Sequence, residues 1–185
     1  MYSLFKIKYF LQILKNTILG SQAILLSLIV CGLLIYLKEG SMLKLELINE
    51  DNYSSCINIK SSVENNDYVD DVVYSIAEAY LYKDESECFA INRDGEVVGF
   101  ISIYYGEDNY QIINFVIDEV HRGRGYGSEA ARLCIDYFKR EFNAKRVSLP
   151  VHVNNKRAQK FWMKLGFKMS DTIEDDYVFM RIYYE

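Results

Sequence analysis

The sequence predicts an α/β protein of the α+β type, with a single mixed, mostly antiparallel sheet and helices on both of its faces. Three observations carry that prediction. Asp94-Gly95 lies between two apolar, β-branched runs, the signal for a tight hairpin. A glycine-rich turn at Arg122–Gly127 joins an apolar strand pattern to an amphipathic helix. Strand and helix patterns then alternate to the end of the sequence, so the order of elements suits one mixed sheet. The 185 residues suffice for one ordinary domain, and half of them are hydrophobic, which excludes a wholly disordered chain. A single proline and ten glycines exclude collagen-like and proline-rich readings.

Each element has its own signal. Leu43–Ile48 alternates apolar and polar residues, as a half-buried strand does. Residues 50–61 and 66–82 read as helices, the second with Val69, Val72, Val73, Ile76, Ala77 and Tyr80 as its apolar face. Glu87–Asn92 and Val97–Tyr104 are the hairpin strands. Gly106–Asn109 turns the chain into a strand over Tyr110–Ile117. Ser128–Phe142 reads as a helix with Ala131, Cys134, Ile135, Phe138 and Phe142 on one face. Arg146–Val153 is a strand, and Asn155–Leu165 is a helix closed by Gly166 in a left-handed cap. Residues 167–171 and 177–184 are the last two strands.

The chain divides into an apolar N-terminal extension, 1–41, and a domain, 42–185. No charged residue occurs from Asn16 to Leu37, a run near the roughly 20 residues a membrane span needs. Lys6, Lys8 and Lys15 before it would favour a cytoplasmic N-terminus, leaving the domain outside the cell. The alternative is an over-extended start. Lys38-Glu39-Gly40-Ser41-Met42 can be encoded by AAG GAG GGT AGT ATG, a purine-rich ribosome-binding sequence just ahead of an ATG. Met42 as the natural start, and a cytoplasmic protein, is the preferred expectation. A membrane-anchored protein follows only if residues 16–37 are a real span.

Charge points the same way on partners. The first 41 residues carry +3 of a chain net charge of −5, which leaves −8 from Met42 onward. That balance suits cationic partners and argues against nucleic acid. Cys31, Cys56, Cys88 and Cys134 are widely spaced, and with His121 and His152 they form no zinc-ligand pattern. They read as buried thiols in a reducing compartment, and no metal is expected.

The segment with chemistry in it is Ile112–Phe167. Glycines at 123, 125 and 127 allow a sharp turn and a close approach of backbone to a ligand. The N–H groups of the turn and of the first helical turn converge on one spot, and the helix dipole adds positive potential there. Such a nest suits a pyrophosphate, with Arg122 and Arg124 adding charge. The loop lacks the G-K-[ST] ending of a Walker loop and the G-x-G-x-x-G of a dinucleotide fold. A plain strand-to-helix connection would show the same glycines.

Arg122-Gly123-Arg124-Gly125-Tyr126-Gly127 resembles the [Q/R]-x-x-G-x-[G/A] signature of the GNAT acyltransferase superfamily. Val151-His152-Val153-Asn154-Asn155-Lys156-Arg157-Ala158 is similar to that family's V-x-x-x-N-x-x-A, and Phe161–Phe167 to its aromatic-x-K-x-G-F ending. The resemblance covers Met42–Glu185 and implies a GNAT-like acyl-CoA fold that binds acetyl-CoA. It implies that the backbone of Phe115, Val116 and Ile117 pairs with the pantetheine arm as an added strand. The Ile117 N–H would hold the thioester carbonyl and the oxyanion that develops from it. Backbone groups of Arg122, Gly123, Arg124, Gly125, Tyr126, Gly127 and Ser128 would hold the pyrophosphate. Asn155 would contact the cofactor or simply cap its helix, and Phe161 would line the pantetheine channel or simply pack.

The implied reaction is direct attack of an amine on the thioester. An alkyl ammonium of pKa ~10.4 is neutral at pH 7 in only about one molecule in two thousand, so the protein must assist loss of a proton. The position that carries a glutamate in some family members corresponds to Gln111, which is no base, and Trp162 stands where the usual acidic tyrosine would be. General base and general acid are therefore unassigned, with Tyr126, Tyr177, Tyr183 and Tyr184 as substitute donors. For the acceptor, Glu64, Asp67, Asp70 and Asp71 lie on the segment that forms the acceptor site in this family. Asp171, Glu174, Asp175 and Asp176 form a second acidic cluster; both also read as solvated faces. The expected activity is acetyl-CoA-dependent N-acetylation of a primary amine on a small cationic acceptor, polyamine-like, as in the similar bacterial diamine and spermidine acetyltransferases. Alternatives are acetylation of proteins or peptides, or a non-catalytic acyl-CoA-binding module tethered to membrane. Dimers are common in the family, so a homodimer is compatible with the resemblance.

Overall fold

In the computed structural model, residues 42–61 and 68–184 are described. Strand β1 (Leu43–Leu47) leads to helices α1 (Tyr53–Ile57) and α2 (Val72–Leu81). Strands β2 (Ser86–Arg93), β3 (Glu96–Tyr104) and β4 (Gln111–Ile117) follow. Then come α3 (Tyr126–Phe142), β5 (Arg146–His152), α4 (Lys156–Lys164), β6 (Lys168–Glu174) and β7 (Tyr177–Tyr183). The order of elements and the mixed sheet are those the sequence predicts.

Among the described residues the strands make one seven-stranded sheet in the order β1-β2-β3-β4-β5-β7-β6. Every pairing is antiparallel except β4 with β5. The β2–β3 hairpin turns at Asp94 (φ 55°) and Gly95 (φ 88°), both left-handed as a two-residue type I′ turn requires. Leu43, Ile101, Ala131, Cys134, Phe138 and Leu149 belong to the larger core, on the face that α3 covers. Cys56, Val72, Ala90, Phe100 and Val116 form a smaller one with α1 and α2. Burial pushes the Cys56 thiol up to about 11 and, with the neighbouring Cys56, pushes Cys88 up to about 12; burial also raises Cys134. All three are free thiols, Cys56 and Cys134 buried as expected and Cys88 only half-buried; Cys31 lies outside the described residues.

Two helix expectations need correction. The first helix is only the five residues of α1, not 50–61. Helix α2 is shorter than 66–82, and its inward stripe is Val72, Ser75, Ile76 and Ala79, with Val73, Ala77 and Tyr80 exposed. The side chain of Asp71 accepts a hydrogen bond from the Val73 N–H at 2.7 Å and fixes where the helix starts. Ser75, buried against Asn114, and Ala79 turn inward where hydrophobicity alone suggests Val73, Ala77 and Tyr80. No helix among the described residues is long and apolar enough to cross a membrane; residues 16–37 lie outside them.

Strand β4 carries the feature that builds the site. Asn114 pairs with Ser102 but Ile112 pairs with Ile103, so Ile113 is an extra residue, a bulge. The bulge changes the parity of the strand. Ile112 packs in the larger core, whereas Asn114 and Val116 face α2 and the smaller one. Parallel pairing of β4 to β5 is confined to Gln111 and Ser148, with the Ser148 N–H donating to the Tyr110 carbonyl at 2.9 Å. Beyond that point the strands part and leave a wedge.

Candidate functional site

The backbone inside the wedge follows from the ladders beside it. The Asp118 N–H donates to the Val98 carbonyl at 3.0 Å. Alternation then turns the Val116 amide groups towards β3 and those of Phe115 and Ile117 towards the wedge. Two contacts agree. A Cβ on Gly99 would lie 2.5 Å from the Val116 oxygen, and the Ile117 carbonyl accepts from Arg122 Nε at 3.0 Å on the opposite side. Of the three residues expected to meet a pantetheine arm, Phe115 and Ile117 therefore present their backbone to the gap, and Val116 does not. On the β5 side the Tyr184 N–H bonds to the Lys145 carbonyl, so the backbone nitrogens of Ser148 and Pro150 face the gap. Pro150 has no N–H to leave unpaired there. It is the single proline of the chain, and proline in a strand marks an edge. That is the sequence signal from which the wedge could have been read.

A cavity of about 340 Å³ opens at the wide end, lined by Phe115, Ile117, the glycine turn, Asn155, Phe161 and Trp162. Gly123 (φ 74°) and Gly125 (φ 86°) take the left-handed conformations that let the turn coil under the start of α3. The first N–H groups of a helix have no intrahelical acceptor, so those of Tyr126 and Gly127 are available on the cavity wall. This fits a pyrophosphate, and the apolar Phe115–Phe161 side fits a pantetheine chain. The Arg124 side chain bonds back to the Val120 carbonyl at 3.2 Å, and Arg124 does not line the cavity. Arg122 does line it while tying the turn to the end of β4. Asn155 is the N-cap of α4, its side chain accepting from the Ala158 N–H at 3.0 Å, and it also lies on the cavity wall. Phe161 lines the cavity and packs on Phe115 and Trp162. Both residues thus fill a local structural role, a cap and a packing contact, while lying on the cavity wall. His121 was not among the expected binding residues; it is buried on this wall with Nε2 3.5 Å from Glu96.

A second cavity, about 590 Å³, lies in the wedge on the α2 side. Phe115, Asn155, Ala158 and Trp162 line both cavities. Its carboxylates are Asp70, Glu78, Glu174 and Asp175. Its aromatic walls include Tyr68, Tyr74, His152 and Tyr177. The acidic quartet expected from the sequence is split. Asp70 lines this cavity, Asp71 is bound up in the α2 cap, and Glu64 and Asp67 lie outside the described residues. The second acidic cluster is split too, with Glu174 and Asp175 on the cavity and Asp171 and Asp176 off it.

Asn114 was missed, because an asparagine in an apolar strand carries no sequence signal of its own. Its amide nitrogen donates to the Asp70 carbonyl at 2.8 Å and to Ser75 Oγ at 2.7 Å. A carbonyl can only accept, so the amide orientation is fixed. Its Oδ1 is buried with no hydrogen-bond partner among the described residues. Gln111, the position compared with the family's glutamate, lines neither cavity and sits in a small pocket beside Arg146 and Arg181. Of the four substitute donors, Tyr126 lines the first cavity and Tyr177 the second. Tyr183 is exposed. Tyr184 packs under Lys139, its hydroxyl raised by burial and then by nearby Asp136. No group of potential metal-ligating residues occurs among the described residues.

Comparison with known proteins agrees with this geometry. Residues 49–167 match the Acetyltransferase (GNAT) family. A Bacillus subtilis protein named for N-acetylation of a ribosomal-protein alanine is 35% identical over 78 residues, 42% of this chain and 51% of that protein. The chain thus spans about half the length of that relative. The Bacillus subtilis spermine/spermidine N(1)-acetyltransferase is 22% identical over 144 residues, 71% of this chain and 91% of that protein. Spermidine N-acetyltransferase from Vibrio cholerae, crystallised with CoA and spermine, superposes with a TM-score of 0.61 at 16% identity, covering 76% of this chain and 95% of that one. The last shares the fold.

Proposed function

Because the chain belongs to the GNAT family of acetyltransferases, whose cosubstrate is acetyl-CoA, we propose that it transfers an acetyl group to the primary amine of a small cationic acceptor. The observation that carries the reading is the pair of cavities meeting at Phe115, Asn155, Ala158 and Trp162. One is walled by a positive-φ glycine turn and the start of α3, which suit a pyrophosphate, and the other is acidic and aromatic. Acetyl-CoA supplies an activated acyl carbon. The Ile117 N–H, turned into the wedge, is the donor for the charge that develops on the thioester oxygen. The carboxylates raise the local concentration of cations and, through ordered water, offer a destination for the amine proton. A thiol has a pKa of about 8.5, so the thiolate leaves without an acid strictly being required. Tyr126 and Tyr177, with Tyr68, Tyr74 and Ser128, carry the hydroxyls on the cavity walls that could donate to it.

The test uses the purified full chain with acetyl-CoA and a mixed pool of polyamines, aminoglycosides, amino acids and short peptides, read by mass spectrometry. Acetylated polyamines or aminoglycosides would support the reading. Products only among the peptides would favour a protein acceptor, the activity for which the ribosomal-protein relative is named. Acetyl-CoA binding with no product anywhere would favour a non-catalytic module.

A further inference from the structure

We propose that the acceptor's non-reacting nitrogen is recognised by aromatic faces and not by ion pairs, so that this subsite takes an N-alkylated ammonium. The inference rests on reading the larger cavity as the acceptor site.

The carboxylates make poor tight partners. Asp70, Glu174 and Asp175 are exposed and Glu78 only half-buried, and solvated ion pairs contribute little. Glu78 apart, the half-buried polar side chains of this cavity are the aromatic Tyr68, His152 and Tyr177. The His152 ring lies 4.9 Å from Tyr68 and 5.3 Å from Tyr177, the latter edge to face, and all three rings line the cavity with Tyr74. The backbone N–H of Asn154 donates to His152 Nδ1 at 3.1 Å. That bond keeps the proton of the neutral ring on Nε2, so His152 is held as a third aromatic wall and is poorly placed to act as a base. The His152 and Tyr177 rings meet at 88° and Tyr68 tilts 38° from His152; a cluster of aromatic rings is the arrangement that recognises alkylammonium groups. The ring faces offer no lone pairs to the N–H groups of an unsubstituted ammonium, for which acceptors are confined to the phenol oxygens at the ring edges, to Asn114 Oδ1 and to the solvated carboxylates.

Trp162, the single tryptophan of the chain, lines both cavities, so its fluorescence reports occupancy without turnover. The full chain is titrated with choline, ethanolamine and 3,3-dimethylbutan-1-ol, which share a hydroxyethyl arm and differ at the head. Choline is expected to bind at least as tightly as ethanolamine and at least about tenfold more tightly than the uncharged alcohol. Tyr177→Leu is expected to cut the advantage over the alcohol to about threefold or less, and Tyr177→Phe to keep it. Acetyl-CoA affinity, read on the same tryptophan, serves as the check of folding. Tyr68→Leu is the second variant should Tyr177→Leu fail that check. Ethanolamine binding tenfold better than choline would overturn the proposal, as would equal binding of choline and the alcohol. An undiminished choline preference in a folded leucine variant would do the same. Acetylation assays test the acceptor reading and the titration tests this one, so either can fail alone.

Discussion

The two cavities are built in opposite ways. The loop cavity draws most of its wall from one continuous stretch, the end of β4 through the first turn of α3, with α4 closing it. Its geometry is set by local rules, namely positive-φ glycines and unpaired helix N–H groups. The larger cavity takes residues from the segment before α2, from α2 itself, and from β4, β5, α4, the β6–β7 turn and β7. No short stretch of sequence encodes it. A site made of contiguous backbone tolerates change in distant side chains, whereas a site assembled from remote elements depends on each of their placements. Perturbations of the two should therefore separate.

The largest expected separation comes from the glycine turn. At Gly125 a β-branched residue meets a φ of 86°, and each left-handed residue of that kind costs at least about 1–2 kcal/mol. Gly125→Val should weaken acetyl-CoA binding at least about tenfold by calorimetry. Choline titration into the larger cavity should change by less than about twofold. Equal losses in both would mean that the cavities form one cooperative unit.

The converse perturbation is Asn114→Asp. It replaces the donor facing the Asp70 carbonyl with an acceptor and buries a charge where Oδ1 is already unpartnered. Losing a buried hydrogen bond in this way costs about 1–3 kcal/mol. The expected outcome is a rise of about tenfold in KM for the acceptor and a lower Tm, with acetyl-CoA affinity kept. An acceptor KM that does not move would remove Asn114 from the acceptor wall.

The same contrast explains what the sequence revealed. The hairpin at Asp94-Gly95, the cap at Asn155 and the turn at Arg122–Gly127 depend on residues adjacent in the chain, and all were legible. The α2 stripe was misread because Ser75, which carries no hydrophobic signal, turns inward to bond Asn114 of β4. The bulge at Ile113 was invisible because YQIINFVI reads as an unbroken strand; the register against β3 decides which way Asn114 points. Asp70 and Asp71 look equivalent in sequence, yet one lines the cavity and the other caps a helix. Pro150 was the one overlooked local signal, since it marks the strand edge at which the wedge opens.

Thiols offer a smaller probe of the α2 side. Burial, and then the nearby Cys56, hold the Cys88 thiol up at about 12, against about 8.5 in an unfolded chain. Above pH 8.5 the unfolded thiol releases its proton and the folded one keeps it, so stability falls as pH rises. At pH 9.5 that is about 1 kcal/mol for this thiol. Cys88→Ala should flatten the fall in Tm between pH 8 and 9.5 by that share. Cys88 beneath α2 should also react with a thiol reagent before Cys134, which is fully buried on α3. The reverse order would mean that the cofactor face is the looser of the two.

The smallest effect separates two adjacent aspartates. Asp71→Ala removes a helix cap, at about 1 kcal/mol, and should lower Tm by a few degrees with acceptor KM unchanged. Asp70→Ala removes an exposed carboxylate from the cavity rim and should leave Tm alone while raising KM for a cationic acceptor about twofold. Salt distinguishes the causes. At 1 M ionic strength the Debye length is about 3 Å, so the Asp70 effect should vanish. The cap hydrogen bond of Asp71, at 2.7 Å, should persist. If the Asp70 effect survives high salt, its carboxylate touches the acceptor directly, and recognition in this cavity is less aromatic than the rings around His152 indicate.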